Sequence, residues 1–307
     1  MKRFFSVILC VLSLLPTMAD TPSRVRVLSI GNSFARDAFA YVPFLIEELS
    51  PGTKVDFSIL YIGGCSLERH YNGLVGELPD YELDTYRSED GHWNMEKNVT
   101  LQKGVLSNDW DIIILQQQSA ASRYYDTYQP YLDDLLKYLK DVRPRATTAW
   151  LMTQAYGTGF KRLKDMSTDE MWARVNAASQ QALEQTSIEL MIPAGTAIQN
   201  ARYTVLDRLG KAGHLVNDGY HLHEGIPPLI EGLVATQVIM KHFGVDVDVQ
   251  KSQLKITPEW REERHTPQPN GQPEEASDEE YAIARRCAQW AIDAPWQLTV
   301  IEEGMKK

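Results

Sequence analysis

The 307-residue chain carries 31 Lys and Arg against 41 Asp and Glu, a net charge of −10 and a pI near 5.2. That balance, with no basic run or basic face in view, disfavours nucleic acid and anionic lipid as partners. Without a CxxC or a paired Cys/His spacing, no metal and no cofactor is expected, and the length suits one large α/β domain or two small ones.

Met1-Lys2-Arg3, an apolar run from Phe4 to Leu15 and Pro16-Thr17-Met18-Ala19 follow the plan of a secretory signal peptide. The run falls short of the ~20 residues that span a bilayer. A signal peptide over 1–19 is expected, with cleavage after Ala19, export to the periplasm or the exterior, and no membrane insertion afterwards. A retained N-terminal anchor is the alternative. Cys10 sits in the apolar run behind Ile8 and Leu9, which argues against a lipoprotein anchor. Cys65 and Cys287 remain and could pair in an oxidising compartment.

Arg24 to Ile30 reads as a strand, Ala38 to Leu49 as a helix stopped by Ser50-Pro51-Gly52, and Lys54 to Tyr61 as a second strand ending at Gly63-Gly64. Ser66 is placed to cap the next helix. Pro79 to Asn98 is polar and aromatic with little periodicity, an excursion or small hairpin. Val99 to Asn108 looks helical, and Trp110 to Leu115 is a continuous β-branched run, the mark of a strand buried on both faces. Tyr128 to Val142 (helix), Ala146 to Thr153 (strand), Ser167 to Glu184 (helix, capping-box start), Ile188 to Ile192 (strand), Ala197 to Leu209 (helix) and Ile226 to Phe243 (helix) complete the alternation.

Five strand–helix alternations predict an α/β/α sandwich around a parallel sheet of about five strands. The main domain is assigned to 20–250 and a C-terminal extension to 251–307. Within the extension, Arg261 to Asp278 reads as a surface linker, and Glu279 to Ile292 as an amphipathic helix that packs back on the domain.

Active sites of open α/β sheets gather beyond the C-terminal strand ends. Four polar groups fall there. Gly31-Asn32-Ser33 follows the first strand, where a serine can project from a tight turn; Asn32 or Ser33 could equally be a plain helix cap. Gly63 and Gly64 offer backbone N–H groups for an oxyanion, or a simple turn. Gln116-Gln117-Gln118 ends the buried strand, with Gln116 preferred over Gln118 as a donor to substrate and a surface loop as the alternative. Asp218-Gly219-Tyr220-His221 lets one short loop deliver an acid and a base, or is only a solvated turn. His214, His223 and Glu224 crowd the same stretch, but their spacing matches no common metal set.

These four blocks, in this order, resemble the SGNH (GDSL-like) hydrolases, and VLSIGNSFARDAF, WDIIILQQQS and NDGYHLHEG resemble the DUF4886 branch over about Arg24 to Phe243. The resemblance implies a flavodoxin-like fold and a serine esterase with Ser33 as nucleophile and His221 and Asp218 as its partners. It also implies an oxyanion hole from the Ser33 N–H with Gly63 or Gly64. Two departures stand out. Asn32 replaces the usual acid of G-D-S, and Gln116 to Gln118 replace the G-x-N-D block. By analogy, the expected substrate is a small ester, first of all an acetylated carbohydrate. Trp93, Tyr124, Tyr125 and Tyr156 could line a sugar cleft or serve in packing. A non-catalytic carbohydrate-binding or surface protein is the alternative.

Overall fold

The computed structural model describes residues 21–208, 215–267 and 271–299; the signal-peptide reading of 1–19 lies outside them. Seven strands form one sheet: β1 (Arg24–Gly31), β2 (Lys54–Tyr61), β3 (Tyr81–Arg87), β4 (Trp93–Val99), β5 (Ile112–Leu115), β6 (Thr147–Leu151) and β7 (Leu190–Ile192). Their order is β4-β3-β2-β1-β5-β6-β7. β2, β1, β5, β6 and β7 are parallel, while β3 and β4 run antiparallel.

The expectation of five strands holds for the parallel part, which has the flavodoxin-like order with its switch point between β1 and β5. The excursion after Pro79 is the hairpin β3–β4, which widens the sheet to seven. Its outer strand buries only its two end residues, Trp93 and Val99, and so carries no apolar alternation to reveal it.

Ten α-helices are described. They are α1 (Ser33–Phe39), α2 (Val42–Leu49), α3 (Leu67–Val75), α4 (Leu101–Leu106), α5 (Tyr131–Val142), α6 (Thr168–Gln185), α7 (Ala194–Ala201), α8 (Ile226–His242), α9 (Pro258–Glu263) and α10 (Asp278–Asp293). The period-2 alternation of the strands sorts them into two layers. Val25, Val27, Phe57, Ile59, Ile112 and Ile114 face a core shared with α1, α2, α7, α8 and α10. Leu28, Ile30, Leu60, Ile113, Leu115 and Trp150 face a core shared with α3, α4, α5 and α6.

Two local expectations change. The stretch read as one helix from Ala38 is split into α1 and α2 at Ala40-Tyr41. Cys65 and Cys287 are both free and buried, and they belong to the cores on opposite faces of the sheet, so they do not pair. Ser66 does cap α3, accepting the Arg69 N–H. Ser277 and Glu280 close a full capping box on α10, whose Ile283, Cys287 and Ala291 are buried against the first core.

Candidate active site

β1 ends in a junction that tolerates no bulk. A Cβ on Gly31 would lie 2.8 Å from Gln116 Oε1 and 2.9 Å from the Ala35 Cβ. Asn32 is buried and caps α1: its Oδ1 accepts from the Phe34 N–H (3.1 Å) and from Gln116 Nε2 (2.8 Å), and its Nδ2 donates to the Cys65 carbonyl (3.0 Å). The amide thus ties the ends of β1, β2 and β5 together at the switch point. Asn32 and Gln116, the two departures from the family pattern, hydrogen-bond each other.

With Asn32 facing inward, Ser33 begins α1 with its hydroxyl turned the other way. Ser33 Oγ lies 2.8 Å from His221 Nε2, a contact between residues 188 positions apart. His221 comes from a short hairpin pinned by the Val216–Leu222 bridge and by the N–H groups of Asn217 and His223 donating to His221 and Leu215. Inside it Asp218 Oδ1 accepts the N–H groups of Tyr220 (3.2 Å) and His221 (2.9 Å), while Oδ2 accepts from the His221 ring at Nδ1 (2.7 Å). Burial works against the charged carboxylate, but these donors outweigh it and hold Asp218 below its ordinary range.

The hairpin rests on a buried acidic floor. Asp37 of α1 accepts the Leu222 N–H (3.2 Å). Burial first, and then the Glu224 carboxylate, push Asp37 well above the ordinary carboxylate range. Glu231 of α8 is buried, with no hydrogen bond to either oxygen among the described residues; burial and the nearby Asp37 push it up as well. Glu224 has partners, the Tyr41 hydroxyl at 2.9 Å and Arg261 at 3.4 Å.

Arg261 refines the reading of 261–278 as a surface linker: the described residues after it are exposed or half-buried, but Arg261 itself is not. It is buried in α9, and the chain beyond it lies against the hairpin that carries Asp218 and His221. Glu274 is 3.4 Å from His223 Nε2, and a Cβ on Gly225 would touch Pro273 at 3.4 Å.

An aromatic wall stands on the other side of the histidine. The Tyr220 ring lies 4.0 Å from the His221 ring and stacks on Phe160 at 5.5 Å, with Tyr156 and Phe34 behind. Gly157 N–H donates to the Gly219 carbonyl at 2.8 Å, joining the loop after β6 to the hairpin. Gly219 needs to be glycine: its φ is +97°, and a Cβ there would meet Phe160 at 2.3 Å.

Ser33, Asp218 and His221 are therefore brought together. Gly63 and Gly64 lie exposed in the turn after β2, beside the Cys65 carbonyl that Asn32 holds; no described residue accepts the N–H of either, or of Ser33. The glutamines do something other than expected. Gln116 is buried and spends its NH2 on Asn32. Gln117 accepts from the Leu67 N–H, and Gln118 Oε1 accepts from the Ala120 and Ala121 N–H groups, closing its own turn. Gln116 is thus a clamp behind Ser33 rather than a free donor at the strand end.

Of the four aromatics considered for a cleft, Trp93 and Tyr156 are core. Trp93 packs on Phe57 and Tyr86, and Tyr156 bonds Ser119. Tyr124 is exposed, and Tyr125 packs on Tyr128. Phe160, Asp37 and Arg261 went unmarked in the sequence because each is a single residue whose importance lies in a distant contact. His214 lies outside the described residues.

The family model for a domain of unknown function, DUF4886, matches residues 26–258. A DUF4886 family protein from Bacteroides uniformis is 27% identical, with a TM-score of 0.75, over 90% of this chain and 97% of that one. A protein from Slackia heliotrinireducens, provisionally described as an SGNH hydrolase, is 22% identical over 70% and 99% of the two chains, with a TM-score of 0.46. An acetyl-xylooligosaccharide esterase variant from Geobacillus is 16% identical over 73% and 96%, with a TM-score of 0.45. No curated protein matches. The match spans most of the chain and takes in Ser33, Asp218 and His221: the chain belongs to the DUF4886 family.

Proposed function

We propose that this chain is an exported serine esterase acting on small acyl esters, first of all acetyl esters of carbohydrates. One observation carries the reading, the unbroken hydrogen-bonded line from Ser33 Oγ through His221 to Asp218, at 2.8 and 2.7 Å. A hydroxyl, an imidazole and a carboxylate so joined are the parts that activate a serine.

His221 Nε2 takes the Ser33 proton as Oγ attacks the ester carbonyl. Asp218 keeps the other ring proton on Nδ1 and steadies the imidazolium. The resulting oxyanion meets the N–H groups of Ser33 and of Gly63 or Gly64, each such donor being worth roughly 3–4 kcal/mol. His221 returns the proton to the departing alcohol. Water then enters, gives its proton to His221 and attacks the acyl-serine, and the tetrahedral intermediate collapses to free acid and Ser33.

Export rests on the pattern of Met1 to Ala19, and no helix of the described residues is long and apolar enough to cross a membrane. The carbohydrate preference is supported by the resemblance and by a half-buried tyrosine and phenylalanine stack beside the histidine, a surface on which a sugar ring can pack.

The test is release of acid from p-nitrophenyl acetate, esters of rising chain length and acetylated oligosaccharides. Short acyl chains should be fastest. Tight glycan binding without turnover of any ester would point to a binding module instead.

A further inference from the structure

The chain is acidic overall, yet the loop at the mouth of the site is basic. Residues 158–168 hold Lys161, Arg162 and Lys164, all exposed, against the single acid Asp165. None of the three cations has a carboxylate partner among the described residues, whereas Arg24, Arg36, Arg174, Arg261 and Arg264 each do. Arg162 lies over rings instead: its guanidinium sits 5.4 Å from the centre of the Tyr220 ring and 5.9 Å from that of Phe160. The Tyr220 ring lies tilted against that of His221, and its hydroxyl has no hydrogen-bond partner among the described residues. A guanidinium and a phenol thus stand together on the aromatic wall beside His221, one ring away from the imidazole that touches Ser33.

A guanidinium left without a carboxylate at the rim of a catalytic site is a ready partner for an anionic group on the substrate, and a phenol can donate beside it. Net charge does not oppose this at close range. Charges beyond about 8–10 Å are largely screened at physiological salt, and the neighbouring carboxylate, Asp218, is engaged by His221, so Arg162 can still act on a docked anionic group.

We propose that Arg162, with the Tyr220 hydroxyl, selects acyl esters whose alcohol carries a carboxylate, as in an acetylated saccharide that contains uronic acid units. Lys161 and Lys164 add a less directional attraction. The inference rests on the esterase reading and narrows it from neutral esters to acidic ones.

The experiment compares acetate release from an O-acetylated oligogalacturonate and from the same oligosaccharide with its carboxylates methyl-esterified. Wild type should favour the free acid by about tenfold in kcat/KM, the worth of one charge-assisted contact, and 0.5 M salt should shrink the gap. Arg162→Gln should reduce the ratio to near one, Arg162→Lys should keep part of it, and Lys137→Gln, on the exposed face of α5, should leave it unchanged. Equal release from the two substrates by wild type would overturn the inference and leave the esterase reading standing. So would a ratio unmoved in Arg162→Gln. Failure to turn over any ester, p-nitrophenyl acetate included, would overturn both.

Discussion

Asp218 serves two donors of the same neighbour: one carboxylate oxygen accepts the backbone N–H of His221 at 2.9 Å and the other accepts its ring at 2.7 Å. The first contact shapes the turn and the second sets the tautomer, so one side chain fixes both where the imidazole is and which nitrogen faces Ser33. Asp218→Asn keeps an oxygen for the turn but can offer an amide N–H to the ring, favouring the wrong tautomer. Turnover should fall about 10²–10⁴-fold with little change in thermal midpoint. Steady-state kinetics alongside a melting curve separates this from simple unfolding.

The clamp behind Ser33 gives a second test. Asn32→Ala deletes three hydrogen bonds and strands the Gln116 NH2 in a buried place. It should cost about 1–3 kcal/mol or more of stability, and it should slow turnover because Ser33 loses its fixed exit from β1. Asn32→Asp restores the acid usual in this position. It keeps both contacts to Oδ1 but sets a carboxylate oxygen against the Cys65 carbonyl, so in this chain it should be less stable than wild type. Denaturant melts of both variants check the order.

A third prediction concerns pH. Glu231 is buried with its folded pKa raised, so the folded state holds its proton to higher pH than the unfolded chain does. Its contribution is therefore complete below the unfolded carboxylate range near 4 and is lost as pH rises towards the folded value. The loss is about 1.4 kcal/mol per pH unit within that window. Glu231→Gln, which cannot ionise, should gain on wild type as the buffer moves from pH 5 to pH 8. A constant gap in melting temperature across that range would show that Glu231 does not titrate in this way.

Arg261 of α9 supplies the fourth. Arg261→Met breaks the buried ion pair with Glu224 and should cost about 3–5 kcal/mol. Pairing it with Glu224→Gln should recover part of that. Hydrogen exchange across 215–225 should quicken in the single variant more than in the parallel strands.

The sequence made the parallel sheet and the polar blocks at its edge readable for the same reason: both are local. Five short β-branched runs, each ending in a turn, specify strands and the edge at which active groups collect. Asp218 and His221 are three residues apart, so their pairing could be read directly. The expectation for Gln116 failed because its partner, Asn32, lies 84 residues away, and nothing in either segment says which way an amide points. Arg261 was hidden in a stretch rich in Pro and Glu, where composition favours an exposed linker; its partner Glu224 lies 37 residues earlier, and no local pattern announces the pair. Phe160 owes its place to Gly219, a residue whose positive φ no periodicity betrays.

The most direct measurement is labelling of the purified chain by a fluorophosphonate, with the modified residue located by peptide mass and p-nitrophenyl acetate turnover followed in parallel. A single adduct on Ser33, absent in Ser33→Ala, and a loss of turnover of at least ~1000-fold in both Ser33→Ala and His221→Ala are expected. Labelling at another residue, or near-normal turnover in either variant, would contradict the account.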